Sequence, residues 1–225
     1  MQPHKNCARC RTKWFWAMNK QFAIFDMDGT LIDSMGVWNH LAQEYLANLG
    51  ITAISDEVMQ TIAPMTLSES AAFFVRHYAL ECSAQQAEEQ MLRMIEKHYR
   101  EDIPLKAGVK EYLQEQKAQG VRMCVASATA MPLMQACLQR LEVLPLFDFL
   151  LSCEELCTSK REPLIYLEAA RRFEQRPQEI AVYEDALYAL QTARQAGFFT
   201  VGVYEETTAE EWGEISRMAD RTIKF

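Results

Sequence analysis

The hydrophobic pattern of the chain alternates between short, continuous apolar runs and longer segments in which apolar residues recur at helical spacing. Continuous apolar runs bounded by polar turns predict buried strands at 21–25, 121–126, 147–151, 180–183 and 199–203. Helical spacing predicts helices at 107–119, 132–141, 163–173 and 187–196. Strands without polar alternation, separated by helices, are typical of a parallel sheet that is covered on both faces. The predicted fold class is therefore α/β, with a Rossmann-like parallel sheet as its core.

The stretch between the first and second predicted strands has a different character. Its apolar residues follow helical spacing, and Ser83 with Gln86 three residues later has the spacing of a capping box at a helix start. Residues 35–103 are therefore predicted to form an inserted all-helical cap domain. The α/β core domain is then discontinuous and consists of 19–34 and 104–225.

Composition and charge narrow the classes of function. The chain of 225 residues has a formal net charge of -8, from 31 acidic and 23 basic residues, and no basic stripe, so nucleic acid is not expected as a partner. A membrane span is not expected, because no apolar run reaches roughly 18 residues. The seven cysteines lie mostly in apolar stretches, which favours reduced thiols in a cytoplasmic protein. Residues 1–18 differ from the rest in composition, with several basic residues and the sequence WFW at 14–16, and are predicted to be a loosely attached extension.

Polar residues cluster where the predicted core strands end. Two aspartates follow the first strand, hydroxyl residues follow the second, two acidic residues follow the strand at 180–183, and a lysine precedes the helix at 163–173. These residues are Asp26, Asp28, Ser127, Thr129, Lys160, Glu184 and Asp185. Because the carboxyl ends of parallel strands meet at one edge of a sheet, the side chains are expected to converge there.

The convergence of carboxylates and a lysine favours phosphoryl chemistry. Several carboxylates that face one point repel each other and need a cation, and oxygen ligands suit Mg²⁺. A phosphate dianion repels a carboxylate nucleophile, so a cation and an ammonium group are needed to bring the two together. Two aspartates at i and i+2 can have separate tasks, one as nucleophile and the other as proton donor and later as base.

Four segments resemble, in the correct order, the motifs of the haloacid dehalogenase-like hydrolase superfamily. Residues 25–34, with the sequence FDMDGTLIDS, resemble the first motif, and residues 125–129 resemble the second. The third motif is matched by Ser159-Lys160 with Pro163 three residues later, and the fourth by residues 183–185. The insertion after the first motif occurs where the subgroup with a small helical cap carries its cap. That subgroup includes phosphoglycolate phosphatase, sugar-phosphate phosphatases and β-phosphoglucomutase.

The resemblance implies a set of catalytic and substrate-binding roles. Asp26 would be the nucleophile that forms an aspartyl-phosphate, and Asp28 would be the general acid and base. Lys160 would neutralise Asp26 and the phosphate. The hydroxyl of Ser127 and the backbone N–H of Ala128 would bind the phosphoryl group.

The same resemblance implies Mg²⁺ as cofactor. Its ligands would be Asp26, Asp185 and the backbone carbonyl of Asp28, with Glu184 assisting or holding a metal-bound water. Trp38 follows the first motif closely and is a candidate for contact with substrate.

Two further cap residues, Met91 and Met94, are interpreted together with Tyr99 as the apolar core of the cap, because they form a stripe at helical spacing.

The reaction predicted is Mg²⁺-dependent hydrolysis of a small phosphorylated metabolite, such as a sugar phosphate. Asp28 argues against a dehalogenase, which lacks the second acid. The alternative is a β-phosphoglucomutase-like phosphomutase, which carries a histidine at the position that aligns with Trp38. A phosphate-sensing binding module is a third reading, which the cap disfavours. The protein is expected to be a monomer or a weak homodimer.

Overall fold

The structure, a computed structural model, describes residues 20–62, 65 and 67–225. The predicted extension at 1–18 lies outside the described residues. The strands are β1 Phe22–Phe25, β2 Arg122–Ser127, β3 Phe149–Ser152, β4 Ile180–Glu184, β5 Phe199–Val203 and β6 Arg221–Ile223. The helices are α1 Met35–Asn48, α2 Asp56–Ile62, α3 Leu67–His77, α4 Ala84–Glu101, α5 Val109–Ala118, α6 Met131–Arg140, α7 Leu164–Phe173, α8 Leu187–Gln195 and α9 Trp212–Met218.

The six strands form one parallel sheet in the order β3-β2-β1-β4-β5-β6. Strand β1 lies between β2 and β4, where Phe25 is in register with both Val125 and Tyr183. The ring of Phe25 also stacks on that of Tyr183, with centroids 4.2 Å apart. Strands β1, β2 and β4 therefore end side by side, and the predicted parallel sheet is confirmed.

Helices α1 to α4 all lie between β1 and β2 in the sequence, and α4 packs against both α1 and α3. Their shared interior is apolar and contains the fully buried side chains of Tyr45, Phe74, Met91 and Ile95. Helix α4 also packs on α6 of the core. The prediction of an all-helical insertion in an α/β core is confirmed, whereas the domain boundaries at 34/35 and 103/104 stay a prediction.

The C-terminal elements α9 and β6 are absent from the sequence-based prediction. Helix α9 has seven residues and buries only Ile215 among them, so its apolar residues span only about two helical turns. Ile215 packs against Gly202 of β5, where a Cβ atom would overlap the isoleucine side chain. Strand β6 is an edge strand whose residues are mostly exposed, and it therefore lacks the continuous apolar run of the inner strands.

Two further properties of the described residues concern membrane-spanning helices and cysteines. No helix among them combines the length and apolar character needed to cross a membrane. The cysteines in this part of the chain are free thiols, at Cys82, Cys124, Cys137, Cys153 and Cys157.

The predicted capping box at the start of α4 is present. The Ser83 hydroxyl accepts a hydrogen bond from the Gln86 N–H at 3.1 Å, and the Gln86 side chain accepts one from the Ser83 N–H at 2.8 Å.

Replacement of Ser83 by alanine is expected to lower the free energy of unfolding by about 1 kcal/mol, because an N–H of the first turn loses its acceptor. Urea denaturation measures the change. The control is Ser216→Ala at an exposed position within α9, which should stay within about 0.5 kcal/mol of the parent. A Ser83→Ala protein as stable as the parent would contradict a stabilising role for the capping box.

Candidate active site

The loop after β1 carries Asp26 and Asp28, and its backbone is held in place by hydrogen bonds and by buried side chains. The Asp26 N–H donates to the carbonyl of Tyr183 at 2.9 Å and so extends the pairing of β1 with β4. The N–H groups of Leu31 and Ile32 both donate to the carbonyl of Met27, at 2.9 and 3.0 Å. The side chains of Met27, Leu31 and Ile32 are fully buried. These apolar residues thus hold the loop in the core, and Asp26 and Asp28 on either side of Met27 stay at the sheet edge.

Glycine is required within this loop for two reasons. Gly29 has φ +74°, in the left-handed region, and a Cβ atom there would overlap the carboxylate of Asp185.

The carbonyl of Gly29 accepts a hydrogen bond from Lys106 at 2.6 Å, and the same ammonium group pairs with Glu205 at 2.7 Å. Lys106 thereby ties the loop to the chain that follows β5.

Three buried carboxylates meet at the ends of β1 and β4. Oxygen atoms of Asp26, Glu184 and Asp185 all lie within 4.8 Å of one another. The three residues are 5%, 1% and 4% exposed, so water screens their mutual repulsion only weakly. An all-oxygen set of this kind fits a hard divalent cation such as Mg²⁺. The prediction that these residues converge is confirmed as geometry; metal binding by them stays a prediction.

Lys160 supplies a positive charge inside this cluster. It comes from the loop before α7, is 6% exposed, and its ammonium group pairs with Asp26 and with Glu184 Oε1, the latter at 2.7 Å. The hydroxyl of Tyr166 donates to the same Oε1 at 2.8 Å. Glu184 therefore holds Lys160 against Asp26 and is itself oriented by Tyr166.

Burial shapes the protonation of the cluster. Burial, followed by the charge of Asp26, raises the pKa of Glu184 to about 8 and that of Asp185 to about 7, against the opposing effect of Lys160. Burial likewise raises the pKa of Asp26, although Lys160 opposes this. Burial would lower the pKa of Lys160, but the adjacent Asp26 and Glu184 outweigh it and raise that pKa above its ordinary value. One ammonium group thus faces three carboxyls, and a further cation would relieve the remaining repulsion.

Asp28 lies in a different environment, surrounded by hydroxyl groups. Its Oδ1 accepts from Ser34 at 2.7 Å and from the hydroxyl of Tyr99, and its Oδ2 accepts from Thr129 at 2.6 Å. Burial, and then the charge of Asp28, raises the pKa of Tyr99, so the phenol remains the hydrogen-bond donor. The two aspartates therefore occupy distinct sites, with Asp26 among charges and Asp28 among neutral donors.

Tyr99 and Ser34 are contacts of Asp28 that the sequence analysis did not identify. Tyr99 is fully buried in the helical insertion, as the prediction of a cap core residue requires, yet its hydroxyl reaches the core loop. The available signal was the residue type, because a tyrosine at a buried position needs a hydrogen-bond partner for its hydroxyl.

Ser127 and its neighbours form the loop after β2. The Ser127 hydroxyl accepts from the Thr129 N–H at 3.0 Å and lies 3.5 Å from Asp28 Oδ2. It does not cap α6, whose N-cap residue is Ala130. Ala128 and Thr129 lie on the wall of a cavity of about 810 Å³, which Asp28 and Trp38 also line. Trp38, 38% exposed, donates its indole N–H to the Tyr99 hydroxyl at 3.4 Å.

Comparisons with known proteins agree with this architecture. Residues 23–203 match the family model described as haloacid dehalogenase-like hydrolase. Hexitol phosphatase B of Escherichia coli K12 is 29% identical over 175 residues, which cover 77% of this chain and 79% of that protein. Protein CbbY of Cereibacter sphaeroides is 26% identical, over 88% of this chain and 90% of its own length. A crystal structure from Thermotoga maritima, assigned provisionally to β-phosphoglucomutase, superposes with a TM-score of 0.79 at 21% identity, over 91% and 94% of the two chains.

The chain belongs to the haloacid dehalogenase-like hydrolase family and is an enzyme. The predicted family resemblance is confirmed, and relatives that are named as phosphatases support the predicted class of enzyme.

Metal-free protein is expected to lose stability as the pH rises from about 4 to about 8. A carboxyl whose pKa is higher in the folded than in the unfolded state, where it is near 4, stabilises the fold below that unfolded value; this contribution is lost as the pH rises through the folded pKa. For Glu184 and Asp185 the folded values are about 8 and about 7. Urea denaturation in EDTA at several pH values measures the slope.

Two variants make this measurement specific to the cluster. Asp185→Asn should flatten the dependence on pH, because it removes one of the titrating groups. Asp33→Asn changes an exposed aspartate of the same loop and should keep the parent slope. A parent protein whose stability does not fall with pH in EDTA would contradict the raised pKa values.

Proposed function

We propose that the protein is a Mg²⁺-dependent phosphatase that hydrolyses a small phosphate monoester through an aspartyl-phosphate on Asp26. The observation that carries the proposal is the contact of Asp26 with Lys160 within the buried carboxylate cluster. A carboxylate that is buried, desolvated and paired with an ammonium group is suited to attack an anionic phosphorus centre. Relatives named as phosphatases, among them hexitol phosphatase B, support this class of substrate.

Mg²⁺ would be held by Asp26, Asp185 and the backbone carbonyl of Asp28, with Glu184 close by. When bound, it supplies positive charge between the phosphate dianion and the carboxylate nucleophile. The raised pKa values of Glu184 and Asp185 support the assignment, since carboxyls that repel one another gain most from a shared cation.

The first chemical step breaks the ester bond. A carboxylate oxygen of Asp26 bonds to phosphorus, the bond from phosphorus to the ester oxygen breaks, and Asp28 gives its proton to that leaving oxygen. Lys160 stays protonated and balances charge as the phosphoryl group approaches Asp26. The Ser127 hydroxyl and the Ala128 N–H lie at the end of β2, where they would bind the phosphoryl oxygens.

The second step regenerates the enzyme. Asp28, now a carboxylate, takes a proton from water as the water oxygen bonds to phosphorus, and the bond between phosphorus and Asp26 breaks to release inorganic phosphate. The hydroxyls of Ser34, Tyr99 and Thr129 donate to the carboxyl of Asp28 and so fix its position for both steps.

Water is proposed as the final acceptor of the phosphoryl group on account of Trp38. This side chain has no basic nitrogen, and its indole N–H donates to Tyr99, so it cannot exchange a proton with the hydroxyl of a second acceptor. The predicted cytoplasmic location and the monomeric or weakly dimeric state remain predictions.

Hydrolysis of p-nitrophenyl phosphate is expected with Mg²⁺ and should stop in excess EDTA. Asp26→Asn should lower kcat by at least about 10³-fold, because the amide is a poor nucleophile. Asp33→Asn, an exposed aspartate seven positions along the same loop, is the control and should retain parent activity. Release of inorganic phosphate in equal amount to p-nitrophenol distinguishes hydrolysis from transfer to another hydroxyl. An active Asp26→Asn enzyme would overturn the mechanism.

Asp28→Asn is expected to separate the two steps in rapid-mixing experiments. p-Nitrophenolate leaves without a proton, so the variant should still give a burst of product equal to the enzyme concentration. Steady-state turnover should then be slower than in the parent by about 10²-fold or more, because asparagine cannot accept the proton of water. Alkyl phosphates, which need a proton on the leaving oxygen, should give no burst. Unimpaired steady-state turnover by Asp28→Asn would exclude the role given to Asp28.

A further inference from the structure

The cavity beside Asp28 is larger than a small sugar phosphate requires. Its volume is about 810 Å³, and it lies between helices α1 and α4 of the insertion on one side and the start of α6 on the other. Cavities of about 300–1,000 Å³ accommodate ligands the size of a drug molecule. The organic part of the substrate therefore has room to extend well beyond the ester oxygen.

Half of the large hydrophobic side chains that are exposed among the described residues line this cavity. Six large hydrophobic side chains are exposed among the described residues, and three of these line the cavity: Trp38, Leu92 and Tyr188, at 38%, 47% and 41% exposure. Isolated exposed apolar residues are ordinary, but their concentration around one cavity marks a surface that a ligand covers.

The opposite wall is apolar as well. Pro132 and Leu133 at the start of α6 face the cavity from the core side. A ring placed between Trp38 and this wall would bury apolar surface on both of its faces, and it could pack against the indole in an offset or edge-on arrangement.

Two charged residues of the cavity, Arg93 and Glu96, pair with neighbours on their own helix. Arg93 pairs with Glu89 at 4.0 Å, and Glu96 pairs with Arg100 at 2.8 Å. Thr129 and Tyr99 donate to Asp28. The hydroxyl groups of a polyol would find no hydrogen-bond partner on the walls formed by Leu92, Pro132 and Leu133, and those that lose water there would do so at a cost.

We propose that the preferred substrates are phosphate monoesters whose alcohol part carries an aromatic or extended apolar group. That group occupies the cavity bounded by Trp38, Leu92 and Leu133, while the phosphoryl group lies at Asp26. This inference rests on the proposed phosphatase function and narrows it, since esters of polyols such as hexitols fill the cavity poorly and leave its apolar walls hydrated.

The test compares two primary alkyl phosphates, 3-phenylpropyl phosphate and glucitol 6-phosphate, which break the same type of bond. The kcat/KM of the parent enzyme should be at least about tenfold higher for the phenylpropyl ester, the scale of discrimination that an apolar pocket provides. Acetyl phosphate, which carries no apolar extension, is measured in parallel as a report on phosphoryl transfer alone.

Variants locate the preference in the cavity. Leu92→Gln should lower the ratio of the two kcat/KM values by about tenfold, because KM and kcat for the phenylpropyl ester both become less favourable. Leu167→Gln is the matched control, because Leu167 is exposed to a similar extent, at 40%, on helix α7 outside the cavity. Its ratio should equal that of the parent.

The outcomes distinguish failure of the proposed substrate class from failure of the proposed phosphatase function. Hydrolysis of acetyl phosphate together with an equal or higher kcat/KM for glucitol 6-phosphate would overturn the substrate class and leave the phosphatase function intact. An unchanged ratio in Leu92→Gln would overturn the assignment of the cavity. Absence of hydrolysis of all three phosphorylated compounds in the presence of Mg²⁺ would overturn the phosphatase function and the inference with it.

Discussion

The site depends on one buried interaction, the contact of the Lys160 ammonium with Asp26 and Glu184. A carboxylate that loses water is costly unless a positive charge and hydrogen bonds replace the hydration. Lys160 supplies that charge, but it faces three carboxyls rather than one. The protein thereby places more carboxyl groups than ammonium groups in a position that water barely screens. This arrangement is unfavourable for stability alone and is suited to the capture of a divalent cation.

The parallel sheet makes this interaction possible. Asp26 and Glu184 come from strands that are neighbours in register, because Phe25 pairs with Tyr183. Gly29 then lets the loop pass so close to Asp185 that no side chain would fit. Two positions further along the loop from Asp26, Asp28 leaves the charged cluster and accepts hydrogen bonds from the start of α1, the end of α4 and the loop after β2. The proposed general acid, Asp28, is consequently the residue through which the helical insertion contacts the loop that carries Asp26.

The features of the fold and the site that could be predicted from sequence are those that depend on residues close together in the chain. The buried strands and the polar residues at their ends are local signals, so the sheet, the insertion and the convergence of Asp26, Lys160 and Asp185 could be predicted. The contact of Tyr99 with Asp28 spans 71 positions, and helical spacing reports only that Tyr99 is buried. Helix α9 was not predicted because its seven residues give only about two turns of apolar spacing.

The apolar cavity and the charged cluster complement each other in one site, because the cavity would exclude water from the cluster. Electrostatic attraction between Lys160 and a phosphoryl group is strong only where water is excluded. The walls formed by Trp38, Leu92 and Leu133 exclude water best when an apolar group fills the space between them. A substrate with such a group would therefore complete the low-dielectric environment of Asp26 in the act of binding. Selectivity for the organic part and acceleration of the chemical step would then share a physical origin, and remote binding would be expressed in kcat as well as in KM.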